Sequence, residues 1–143
     1  MRTAVSACLL SLLFISNAAI ARNDSVMVPL QPVMDQIAKQ GGAVRFYFAK
    51  QATPEVAEKL STFTVSRNGA LRAEQSDACQ KLAGQVIDQM RERAVSEGAD
   101  GVVNIRSTYI KGTEVGTETE FECRIGNVRV AIQFSGELVK FKN

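Results

Sequence analysis

Glu114, Glu118, Glu120 and Glu122 stand at even positions of one short stretch, so any strand built there carries all four on one side. Carboxylates in a row are the residue type that collects a hard cation such as calcium, whose ligands are oxygens. A good calcium site wraps the ion with loops and carbonyls, and a flat row along a strand does not wrap. The same residues read first as a solvated strand face balanced by Arg106, Lys111, Arg124 and Arg129. Glu118, Glu120 and Glu122 are the candidates for a cation, and Glu118 with Glu120 for an acid–base pair; residue type alone supports either.

The rest of the reactive inventory is defined by absences. The chain has no histidine, which removes the commonest general base and the commonest metal ligand. Ser-His-Asp and Cys-His nucleophile systems are therefore excluded, and two separated cysteines without histidine make no zinc site. Neither a GxxxxGK[ST] nor a GxGxxG stretch is present, so no nucleotide-phosphate loop is expected. No catalytic residue, cofactor or resident metal is assigned. Arg45, Tyr47 and the Lys50 region form a candidate exposed patch, with the polar side of a half-buried strand as the plainer reading.

Residues 1–21 read as an export leader. Arg2 supplies a positive start, Ala4 to Ile15 an apolar run, and Ala19-Ile20-Ala21 a small-x-small cleavage site before Arg22. The run is shorter than the roughly 20 apolar residues a permanent span needs. The expected product, residues 22–143, is one domain, periplasmic or secreted, without a stable membrane anchor. Loss of Arg2 removes one charge from a formal net of +2, which favours neither nucleic acid nor an anionic membrane as partner. Cys8 leaves with the leader. Cys79 and Cys123 remain, both at core-facing positions, and export favours a disulfide between them. Such a bridge would close a loop of about 45 residues and limit the unfolded chain by roughly 4 kcal/mol in the entropy model.

These residues need a scaffold, and the periodicity supplies one centred on residues 73–141. From Glu74 to Glu97, Cys79, Leu82, Ala83, Val86, Met90 and Ala94 make one helical stripe. Ser76 or Asp77 is placed to cap its start and Gly98 its end. The interior Gly84 suggests close packing. The period then changes to two. Val103, Ile105 and Tyr109 share one strand face, and Val115, Thr117, Thr119, Phe121 and Cys123 oppose the glutamates on the next, after a turn near Lys111-Gly112-Thr113. Val128, Val130, Ile132 and Phe134 form a third strand, with a bulge at Gly136 expected to return Val139 and Phe141 to the same face. The hairpin turn falls at Gly126-Asn127, or at Ile125-Gly126, which pairs Glu122 with Arg129 and is preferred.

Upstream, Arg22 to Met27 reads as a loose start. A short helix opens at Pro29-Leu30-Gln31-Pro32, with Val33, Met34 and Ile37 apolar, and ends at Gly41-Gly42. Val44, Phe46 and Phe48 alternate as a strand. Thr53 caps a second short helix from Pro54 to about Leu60. Phe63 and Val65 form a brief strand, and Arg67-Asn68-Gly69 turns the chain back, making Arg67 to Gln75 the one hinge-like stretch. The expected fold is a single α+β domain, one long helix on a mainly antiparallel sheet, in the order α-β-(short α)-β-α-β-β-β.

Ala78-Cys79-Gln80, the run Gly98-Ala99-Asp100-Gly101-Val102-Val103-Asn104-Ile105, and Glu118-x-Glu120-Phe121-Glu122-Cys123 together resemble a group of small exported bacterial proteins labelled "excinuclease ATPase subunit". Leu30-Gln31-Pro32-Val33 and Val44-Arg45-Phe46-Tyr47-Phe48 extend the resemblance over most of the chain. The label does not fit, because the phosphate-binding loop and the zinc-binding cysteines are missing. More distantly, the helix, the GADGVVNI run and the cysteine strand resemble YbjQ and RcsF-type domains. That resemblance implies a small α/β sheet that oligomerises or senses envelope state without a known reaction. The sensor's lipidated cysteine and additional disulfides have no counterpart, so its anchoring does not carry over. The sequence thus points to a non-enzymatic binding domain whose partner is an envelope protein or a second copy of itself. The alternatives are a cation-binding module or unrecognised hydrolase on the glutamate face, and a redox-responsive sensor using the cysteine pair. An exposed strand edge at Val44–Phe48 or in the C-terminal strand is where a partner would add.

Overall fold

The computed structural model describes residues 23–72, 74–109 and 114–143. The expected leader, its expected Ala21/Arg22 cleavage site and the expected Lys111-Gly112-Thr113 turn lie outside the described residues. The elements are β1 (Asp24–Pro29), α1 (Gln31–Gln40), β2 (Arg45–Phe48), β3 (Val56–Ala70), α2 (Gln75–Ser96), β4 (Gly101–Ser107), β5 (Glu120–Ile125) and β6 (Arg129–Phe141). They build one six-stranded mixed sheet, curled into a half-barrel, with two helices. The expected α-β-(short α)-β-α-β-β-β order gives way to β-α-β-β-α-β-β-β, because strands dominate the N-terminal half as well.

β6 organises the sheet. β3 runs antiparallel along one side of it, from Val56↔Phe141 to Ala70↔Arg129. Its other side is shared between β5, near its start, and β4, along the rest. β1 completes the β5 branch antiparallel, and β2 completes the β4 branch as the parallel pair. The C-terminal strand expected at an edge is therefore the innermost of all.

α2 follows the predicted stripe: Cys79, Leu82, Ala83, Val86, Met90 and Ala94 are buried, together with Ile87. These residues meet Val130, Ile132, Phe134 and Leu138 of β6 and Val102 and Ile105 of β4 in one core. Phe134 is central, with Phe48 and Phe121 edge-on to it at 5.6 and 5.7 Å between ring centroids. Gly98 takes φ 68° just past the helix end, as a left-handed cap requires. At the start, neither Ser76 nor Asp77 caps the helix; Glu74 occupies that position without a side-chain bond. Gly84 faces α1, where a Cβ would stand 3.0 Å from Oε1 of Gln36, the movable end of a flexible side chain. α1 itself begins with proline in its first turn and ends at Gly41 and Gly42, both with positive φ, as expected.

Five further expectations fail for identifiable reasons. Residues Asp24–Pro29 are a strand because Val26 and Val28 bury beside β5, opposite Cys123 and Phe121. The helix from Pro54 to Leu60 and the turn at Arg67-Asn68-Gly69 are replaced by one fifteen-residue strand. Its Thr62-Phe63-Thr64-Val65 centre has strong strand preference, and β6 offers a partner along its whole length. Gly69 within it is a contact site: a Cβ would lie 3.3 Å from Cδ1 of Leu82. In β4 the bulge sits at Asn104, with φ 53°, so Val102 and Ile105 face α2 while Val103 faces away. In β6 no bulge occurs at Gly136 against β3; the strand keeps its alternation, and Val139 and Phe141 join Val103 and Tyr47 in a small cluster on the opposite face.

The last hairpin adopts neither expected turn. Gly126 N–H donates to the carbonyl of Arg129 at 2.8 Å, leaving Asn127 and Val128 as the tip, and Ile125 pairs with Val130. Both of those side chains are buried, with at most 1% exposure. Burying two aliphatic side chains, each worth roughly 1.5–3 kcal/mol, outweighs a cross-strand charge pair worth roughly 0.2–1 kcal/mol.

Candidate functional site

The glutamate row is not a row. Only Glu120 and Glu122 belong to β5; Glu118 stands in a bend before it, and Glu114 lies further back, beyond Val115, which bridges to Ser107. Glu122 is buried at 5% exposure, against the expectation of a solvated face. It sits on the side of the sheet away from α2. Ser25 Oγ donates to its carboxylate at 2.6 Å, Arg124 Nε lies 3.4 Å away, and its backbone N–H donates to Ser107 Oγ at 2.9 Å. Arg124 in turn stacks 5.2 Å from the Tyr109 ring. Arg106 engages Glu114 at 3.1 Å. Glu118 is exposed and Glu120 half-buried. Among the described residues, no three acidic or cysteine side chains converge as a metal site.

On the same outer face a charged chain crosses three strands. Lys59 of β3 pairs with Glu137 of β6 at 2.6 Å. Asn104 donates to Glu137 at 3.3 Å, and Arg106 donates to Asn104 at 2.6 Å. Beside it, Arg45 lies over the Phe141 ring at 4.2 Å and Tyr47 packs edge-on to the same ring at 5.9 Å. The Arg45–Tyr47 patch thus covers an aromatic side chain.

Cys79 of α2 and Cys123 of β5 form the expected disulfide, with Cα atoms 6.0 Å apart and both residues fully buried. It pins the helix to the β1–β5 branch, which joins β6 through only two residue pairs, Arg124↔Ala131 and Ile125↔Val130.

Two clefts follow the seam between β3 and α2. One, of about 340 Å³, is lined by Ala70, Arg72, Asp77, Lys81, Leu82 and Val130. The other, of about 450 Å³, is lined by Phe63, Val65, Gln89, Glu92, Arg93 and Ser96. At the helix end of this seam, Arg93 and then Ser61, by hydrogen bonds to its carboxylate, hold Glu97 below the usual carboxylate range. In the second cleft Ser96 Oγ donates to the backbone carbonyl of Arg93 at 2.8 Å.

What lies open is an edge. Among the described residues β3 pairs with β6 alone, so the other side of a fifteen-residue strand presents its backbone groups without a strand partner. β2, the edge expected from sequence, is only four residues long. The β3 edge was hidden in the sequence by Pro54 and by Asn68-Gly69, which read as punctuation. Its visible signal was the β-branched and aromatic run from Thr62 to Val65.

No protein-family description matches the chain, and no curated protein is similar to it. Among solved structures, a protein of unknown function of the DUF74 family from Pediococcus pentosaceus is similar at 8% identity. The match covers 68% of this chain and 98% of that one, with a TM-score of 0.47.

Proposed function

We propose that this chain is a non-enzymatic binding domain of the cell envelope, periplasmic or secreted after loss of residues 1–21, and that it works by strand addition at the β3 edge. The observation carrying this reading is the length of that edge. Sheets in globular proteins usually keep exposed edges short, charged or covered, because an open ladder recruits another chain. Strands average about five or six residues, and β3 has fifteen. An open edge of that length fits a surface covered in use.

Other features agree with export and with a structural cysteine pair. The Cys79–Cys123 bridge is compatible with an oxidising compartment. No helix among the described residues is long and apolar enough to cross a membrane. Burial of both sulfurs favours a structural bridge over a redox-responsive one, since exchange needs access by an attacking thiolate. The division of Glu114, Glu118, Glu120 and Glu122 among different surroundings weighs against a cation or hydrolase face.

The test is to purify the protein from the envelope fraction, follow its mass by sedimentation over a range of concentrations, and cross-link it to its neighbours in intact envelopes. Self-association or a cross-linked partner mapping to β3 is expected. A monomer that cross-links to nothing overturns the reading.

A further inference from the structure

We propose that the occupant of the β3 edge is a second copy of this chain, added antiparallel about a two-fold axis through Phe63. This rests on the reading above and names its partner. The first argument is that two guards of an edge, proline and a free lysine, are missing or diverted, although the strand keeps bulges at Val56/Glu58 and Lys59/Ser61. No proline interrupts Val56–Ala70. Lys59, the residue type most often projected from an edge to repel strangers, is instead tied across the sheet to Glu137 at 2.6 Å.

The second argument is register. A two-fold axis perpendicular to the sheet keeps each face on its own side, and residues directly opposite must share a face. The axis must therefore pass through a residue, not between two. Arg67 lies on the α2 side, where its guanidinium reaches Gln85 at 3.4 Å, and Phe63 and Val65 share that side. Centring on Phe63 sets it against the second copy's Phe63, Thr62 against Thr64, and Ser61 against Val65. Continued without interruption, this register would bring Lys59 against Arg67. The β3 register shifts by one residue between Lys59 and Ser61, however. That extra residue moves Lys59 opposite Ser66 and sets exposed Glu58 opposite Arg67.

Faces agree as well. Glu58 pairs with Lys140 and Lys59 with Val139, and Val139 points away from α2, so Glu58 points toward it, as Arg67 does. The symmetry makes two such Glu58–Arg67 pairs. Centring one residue either way sets Glu58 against Val65 or Gly69 and makes none. The third argument is burial: Phe63 and Val65 are half-buried at the lip of the cleft under α2, and the added strand would cover both.

Sedimentation of the purified protein alone is expected to show a monomer–dimer equilibrium. Glu58→Arg should weaken it about tenfold, as two attractive cross-strand pairs become repulsive, and Glu58→Arg with Arg67→Glu should restore it. Phe63→Cys should oxidise to a covalent dimer, because directly opposed residues lie within disulfide reach, whereas Thr64→Cys should not. A dimer indifferent to the charge swaps, with Phe63→Cys failing to cross-link, overturns the proposed register. A monomer at every concentration overturns the inference. If that monomer still cross-links through β3 in envelopes, strand addition stands and only its partner was wrong.

Discussion

At the residue scale, glycine and glutamate carry the most information about why this sheet closes as it does. Gly136 is the place where β6 passes closest to the core side chains. A Cβ there would stand 2.6 Å from Cγ1 of Val102 and 2.9 Å from Cε of Met90. Met90 can swing aside, but Val102 has a stiff, branched side chain on the neighbouring strand. Gly136→Ala is therefore expected to lower unfolding stability by about 1–3 kcal/mol through overpacking. The entropy gained by removing a glycine from the unfolded chain, roughly 0.4–1 kcal/mol, offsets only part of this. Urea unfolding checks it: the midpoint should fall with the slope unchanged, and an unchanged or raised midpoint would show that the strand can give way. Glu122 teaches the complementary lesson. Alternation placed it with the solvated glutamates, and its residue type agreed, yet β1 and Ser107 enclose it. Nothing in its own neighbourhood of sequence announces Ser25, which is 97 positions away.

At the element scale, the disulfide decides how the half-barrel holds together. The β1–β5 branch reaches β6 through two residue pairs, while β4 and β3 run along it at length. Cys79–Cys123 fastens that branch to α2 across 44 residues of chain. Replacing both cysteines with alanine is expected to remove about 4 kcal/mol of stability by the loop-entropy estimate, and reduction of the native protein should be slow because both sulfurs are buried. Thermal unfolding of the double variant, with thiol titration of the native protein, checks both parts; rapid titration of two thiols without unfolding would contradict the second. The elements that sequence reading recovered share a property with this bridge. α1, β2 and α2 declare themselves through local periodicity, and Cys79 and Cys123 through residue type and parity. β1, β3 and the β4 bulge do not, because their conformation is set by partners far along the chain. β1 follows β5, β3 follows β6, and Asn104 adopts a left-handed backbone so that β4 can serve cores on both faces. Asn68-Gly69 carries a sound local turn signal, overridden by thirteen ladder pairs with β6 that end at Ala70↔Arg129. The candidate site was illegible for the same reason: an edge is defined by which neighbour is absent.

At the scale of the whole molecule, the protection of the backbone should grade outward from β6. β6 is flanked on both sides and covered by α2, so its amides are expected to exchange with solvent only when the entire domain unfolds. Those of β3 that point toward β6 should exchange more slowly than those that point outward, since an antiparallel strand alternates its hydrogen-bonding direction. If β3 adds to a second copy, the outward amides between Glu58 and Arg67 gain partners as concentration rises, and exchange at those positions slows with mass action. Inward amides of the same strand, already bonded to β6, would change little. Residue-resolved hydrogen exchange at two protein concentrations therefore reads the fold and the assembly together. Alternating, concentration-dependent slowing centred on Phe63 is expected. Uniform slowing over the whole chain would mean that association merely stabilises the domain, and no slowing along β3 would leave its edge open to solvent in the working state.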